Sequence, residues 1–155
     1  MRVLGVSIVC ALAMILSGCG SSSSTPVNGN WSATVTNIDG STAFLFSLTM
    51  NENSSTGAVS VTNLSFTSNS NSCFSTNSTG VGTFNTGGTT NGVTTGALQL
   101  TIQSGTSNTN GTNQLTLNGT LNQSSTSNTI TGTWNLTGTG SDCTGNGNFT
   151  MGPAS

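Results

Sequence analysis

The sequence predicts an all-β protein, most simply an antiparallel up-and-down barrel of about eight strands. Three observations carry this. Apolar residues recur at every second position, Thr, Ser and Asn fill the positions between them, and turn dipeptides separate the runs at hairpin spacing. No window shows the apolar stripe of a helix, and the Ser, Asn and Gly that dominate the chain disfavour helix interiors. A two-sheet sandwich is the alternative, because both architectures bury one face of each strand.

Taken in order, Trp31, Ala33 and Val35 alternate with polar residues in a strand over 29–37. Phe44, Phe46, Leu48 and Met50 do the same over 42–51. Val59 and Val61 fall out of step with Leu64 and Phe66, so the strand over 56–66 is expected to carry a bulge near Thr62 and Asn63. A short strand follows over 80–85. Leu98, Leu100 and Ile102 mark one over 92–103, and Leu115, Leu117 and Leu121 one over 112–122. Ile130, Trp134 and Leu136 mark 128–138, and Phe149 and Met151 close the series over 142–151. The turns are read from Asp39–Gly40, Asn91–Gly92 and Asn110–Gly111. Closing such a sheet removes its edges, which matters in a chain with no Lys to guard them.

Composition narrows function more than it defines it. Of 155 residues, 3% are charged: Arg2 is the one base, and Asp39, Glu52 and Asp142 are the acids. Without a basic patch, no nucleic-acid partner is expected. There is no His and no Tyr, so the many hydroxyls lack a base to activate them, and no catalytic residue, metal site or cofactor is expected. Asp39 and Glu52 bracket one strand and should stand about 30 Å apart, too far for a paired-carboxylate reaction. Asp142 could approach Asp39 at one rim, where solvated turn residues are the simpler reading.

The N-terminus has a different character. Met1 and Arg2 precede a largely apolar run, Val3 to Leu16, which is too short to span a bilayer but fits the core of a secretory signal. "LSGC", Leu16 to Cys19, then resembles a bacterial lipobox: an aliphatic residue, two small ones and a cysteine. The resemblance implies that the Cys19 thiol carries diacylglycerol, that residues 1–18 are removed, and that the new amine is acylated. It makes the membrane a partner through the N-terminal anchor. Residues 19–28 then read as a lipidated, Gly/Ser-rich tether and 29–155 as the barrel. Gly20, where Asp would resemble an inner-membrane retention signal, points to the outer membrane.

With Cys10 in the signal and Cys19 on lipid, Cys73 and Cys143 remain as an even pair in an exported protein, and a disulfide is expected. In a meander, links near 39, 67–79, 104–111 and 139–141 share the rim far from the tether, which brings both cysteines to one end. The bridge would close a loop worth roughly 3–5 kcal/mol in the chain-entropy account.

"GNW", Gly29 to Trp31, resembles the opening of lipocalin-like and avidin-like barrels, and "TGTW", Thr131 to Trp134, resembles avidin-type strands. The chain as a whole resembles small lipoproteins of environmental Gram-negative bacteria. The leading expectation is a lipid-anchored, non-enzymatic envelope protein whose barrel binds or interacts. Trp31 and Trp134 share the parity of the apolar face, so core packing is their simpler reading; the sharper one makes Trp31, Phe44 and Trp134 the candidates for lining an apolar small-molecule or glycan site. A structural surface lipoprotein with a filled barrel is the second expectation, and a glycan-binding or hydrolytic protein a distant third. A barrel packed solid by Phe44, Leu100, Leu117 and Trp134 would favour the second.

Overall fold

The computed structural model describes residues 26–67, 73–74, 77–105, 113–139 and 143–154. Cys10, Cys19 and Asp142 lie outside them, as do the signal segment and most of the tether. The described residues form β1 (Gly29–Asn37), β2 (Thr42–Asn53), β3 (Ala58–Phe66), β4 (Thr79–Thr90), β5 (Val93–Gln103), β6 (Gln114–Gln123), β7 (Asn128–Thr137) and β8 (Gly145–Pro153). Each strand pairs antiparallel with its neighbours in sequence, and β1 pairs with β8 from Trp31↔Pro153 to Asn37↔Gly147. The sheet is therefore a closed up-and-down barrel, and the sandwich alternative falls.

Alternation decides which side chains enter the barrel. Trp31, Ala33 and Val35 of β1 point inward, as do Phe44, Phe46, Leu48 and Met50 of β2, and all are buried. The expected bulge in β3 is present: Asn63 has φ 51° and the β2–β3 register slips between Ser47 and Thr49. β3 meets β4 through only four residue pairs, Ala58↔Thr83 to Val61↔Gly80.

Several strand limits differ from the sequence expectation. β4 runs to Thr90 rather than ending at residue 85. Its extension, "NTGGTT", has no apolar residue to betray a strand, and every residue of it is exposed. It pairs with β5 up to the Asn91–Gly92 turn, where φ of 52° and 76° suits Asn and Gly. β2 continues to Asn53 and β3 starts at Ala58, because Asn53 organises the turn: its carbonyl accepts from Gly57 N–H at 2.8 Å and its side chain from Ser55 N–H at 3.0 Å. β6 covers Gln114–Gln123 and β7 stops at Thr137, each within two residues of expectation. β8 begins at Gly145 and ends at Pro153, so Cys143 precedes the strand rather than starting it.

The interior is filled by pairing large residues with glycines. Inward-facing partners across neighbouring strands include Val61↔Gly80, Leu100↔Gly82, Leu98↔Gly119, Phe149↔Gly132, Trp134↔Gly147 and Leu136↔Gly145. A Cβ on Gly145 would meet the Trp134 ring at 2.9 Å, and one on Gly119 would meet the Phe149 ring at 2.7 Å. These glycines are the space into which the rings fit. At Gly132 an added Cβ would run into the Asn118 carbonyl and the Gly119 Cα, which are backbone and cannot turn aside. Gly132→Val should therefore destabilise the barrel by about 1–3 kcal/mol, read as a lowered denaturant midpoint at unchanged slope. An unchanged midpoint would mean that the wall yields there.

Candidate functional site

The three candidates for lining a ligand site are covered by protein. Trp31, Phe44 and Trp134 are 2%, 2% and 4% exposed. Both indoles have partners: Trp31 donates its ring N–H to the Val27 carbonyl at 2.9 Å, and Trp134 donates to the Thr36 carbonyl at 2.7 Å. Phe44 meets the Trp134 ring edge-on, with centroids 5.5 Å apart. Leu100 and Leu117, at mid-barrel, have no exposure. A void able to hold water would leave exposed wall on such side chains, so none borders them. An eight-stranded ring is just wide enough for its own side chains to fill, and this one does so.

Both mouths are closed by described residues. At the rim that receives the tether, Val27 is fully buried beneath Trp31, and Asn28 accepts from Glu52 N–H at 2.6 Å. At the far rim, Cys73 of the β3–β4 link is joined to Cys143 of the β7–β8 link across 70 residues of sequence. Those links lie on opposite sides of the ring, so the disulfide crosses the mouth. Phe74 follows Cys73 and stacks on Phe66 with centroids 4.5 Å apart, continuing an aromatic cluster of Phe44, Phe46, Phe66 and Trp134.

Buried Asn113, which composition did not single out, joins three far-rim links. Its side-chain NH₂ donates to the Cys73 carbonyl at 2.8 Å and its side-chain oxygen accepts from Thr139 N–H at 3.2 Å. Its own N–H donates to the Ser104 hydroxyl at 2.8 Å, while Ser104 N–H donates to the Asn113 carbonyl at 2.9 Å. An amide with both functions used is what a buried crossing of three chain segments requires. Its only sequence signal was an Asn at the start of an apolar alternation.

The described carboxylates stand apart. Asp39 sits in the β1–β2 turn at the far rim and Glu52 near the end of β2 at the other. Asp39 accepts from the Ser41 hydroxyl at 2.6 Å and from Ser41 N–H at 2.9 Å, closing an Asx turn with Gly40 at φ 84°. These bonds, the hydroxyl first, hold the Asp39 carboxyl below its ordinary value of 3.8. The expected approach of Asp142 to Asp39 lies outside the described residues. Among the described residues, no three His, Cys, Asp or Glu side chains gather where a metal could bind.

Strand number and order agree with the barrel that the lipocalin-like and avidin-like resemblance implies. No protein-family model, curated protein or solved structure matches the chain.

Because the Asp39 value is lowered on folding, its contribution is complete above the ordinary carboxylate range and is lost only as pH falls through the folded value. The thermal midpoint should stay flat from about pH 7 to pH 5, and Ser41→Ala should raise the Asp39 titration midpoint followed by NMR. A steep fall in the midpoint above pH 5 would contradict this. Reducing the disulfide in denaturant and refolding the thiol form should cost about 3–5 kcal/mol in equilibrium unfolding.

Proposed function

We propose that the chain is a lipid-anchored protein of the outer membrane whose barrel is a solid, non-enzymatic body that acts through its outer wall. The filled interior carries this reading. With Trp31, Phe44 and Trp134 engaged in packing, an apolar ligand has no room inside, which favours the ligand-free barrel over an interior binding site. The separation of Asp39 from Glu52, and the engagement of Asp39 in its own turn, support a body without acid–base chemistry.

The anchor rests on Cys19, placed after the apolar run in "LSGC". From Cys19 to Pro26 the backbone can reach at most about 25 Å, so the rim closed by Val27 stays near the bilayer and the disulfide-crossed mouth faces away. Two or three acyl chains give stable attachment where one does not. Cells expressing the full chain with radioactive palmitate should label it, and Cys19→Ser should abolish the label while leaving the protein detectable. Label that survives the substitution would remove the anchor and the orientation together.

A further inference from the structure

Asn precedes Gly at Asn28, Asn91, Asn110, Asn118 and Asn146, and Asp39 precedes Gly40. Such a step can close on itself. The Gly nitrogen lies one small ring away from the carbonyl carbon of the preceding side chain, and no Cβ on Gly shields it. Closure asks three things of the fold. The Gly N–H must lack an acceptor, the side-chain amide must be free to turn, and the backbone between them must be able to rotate. Asn110 and Gly111 lie outside the described residues. The fold treats the other steps very differently.

Ladders close off two of them. Gly119 stands between Leu98 of β5 and Gly132 of β7, and Gly147 between Trp134 of β7 and Asn37 of β1. A strand with a neighbour on each side has its N–H groups in ladder bonds, and rotation there would break the sheet. Asp39 is closed off twice: Gly40 N–H donates to the Asn37 carbonyl at 3.0 Å, and the carboxylate accepts from Ser41 and carries a charge that repels attack. Asn28 is held by its side-chain oxygen, which accepts from Glu52 N–H at 2.6 Å, and Gly29 pairs with Met50.

Asn91 and Gly92 meet all three requirements. They form the tip of the β4–β5 hairpin, outside both strands, and both are exposed. The ladder ends at Thr90↔Val93 and does not include them. Among the described residues, neither the Asn91 side chain nor the Gly92 N–H has a hydrogen-bond partner. A Cβ built on Gly92 would meet nothing within 4 Å, so the space beside it is open. The β3–β4 pairing has already ended at Ala58↔Thr83. Rotation at the tip therefore disturbs one hairpin end and leaves the core alone.

We propose that Asn91 is a site of spontaneous covalent modification, converting through a cyclic imide to aspartate and isoaspartate. Hydroxide takes the Gly92 N–H proton, and the nitrogen lone pair attacks Cγ of Asn91. As this C–N bond forms, the bond from Cγ to the side-chain nitrogen breaks, and ammonia leaves with a proton from water. Water then opens the imide. Opening at Cγ gives aspartate; opening at the main-chain carbonyl gives isoaspartate, whose backbone is longer by one methylene. Either product puts a carboxylate on a tip that carried no charge. The inference needs neither the anchor nor the outer wall, so it stands apart from the proposed function.

The test incubates the full chain, purified in detergent, in mildly alkaline buffer, beside the same chain reduced and unfolded in guanidinium. Peptide mass spectrometry, with fragmentation that separates isoaspartate from aspartate, follows each step. In the folded protein Asn91 should convert at least about tenfold faster than Asn28, Asn118 or Asn146, because those steps must first open part of the fold. Unfolding should bring Asn118 and Asn146 to within a few-fold of Asn91, since only the fold distinguishes them. Gly92→Ala, which sets a Cβ beside the attacking nitrogen, should slow Asn91 several-fold in the folded and unfolded chains alike. Three results would overturn the proposal: Asn118 or Asn146 keeping pace with Asn91 in the folded protein, Asn91 staying intact there while the unfolded chain converts, or an undiminished rate at Asn91 in the Gly92→Ala variant.

Discussion

The interior volume of a closed eight-stranded ring is the constraint on which the rest of this structure depends. The ring fixes how much space lies inside, and the inward positions of every strand must fill it without voids or overlap. This chain meets the limit with very large and very small residues side by side. Trp134 lies against Gly145 and Gly147, and Phe149 against Gly119 and Gly132. A chain of average-sized inward residues would leave the rings no place. The absence of free space around Leu100 and Leu117 at mid-barrel follows from this pairing.

The same constraint explains the two ends. A filled tube still has mouths through which water could reach the core, and each is closed by a segment outside the strands. Val27 closes one without long loops, since Trp31 needs only a carbonyl for its indole N–H. At the other mouth the described link residues Cys73, Ser104 and Asn113 are buried, and their backbone groups must be satisfied away from water. Asn113 meets part of that demand with one side chain, and the Cys73–Cys143 bridge fixes the segment that brings Phe74 onto Phe66. Covalent bridge and amide hub thus stabilise one closure by different means, the first by limiting the unfolded chain and the second by satisfying the folded one.

Much of this was legible in the sequence because alternation is a local signal. Trp31, Phe44, Leu100 and Trp134 announce their inward parity by their neighbours, and counting strand reversals along the sequence brings Cys73 and Cys143 to one rim. What escaped depends on register. Nothing around Asn113 says that its amide will meet Cys73 and Thr139, some 40 and 26 residues away. The extension of β4 escaped because Asn85–Thr90 holds no apolar residue, and its strand character comes only from β5 beside it.

The strand order has a consequence in time as well as in space. Every pairing except one joins strands adjacent in the chain, so each hairpin can form soon after its second strand exists. The exception is β1 with β8, where Thr36 meets Asn148 across 112 residues. Until β8 arrives, β1 keeps an open edge and Trp31, Ala33 and Val35 keep half their neighbours waiting. The assembly is a zipper whose first tooth engages its last, and the final strand decides when the sheet becomes a vessel.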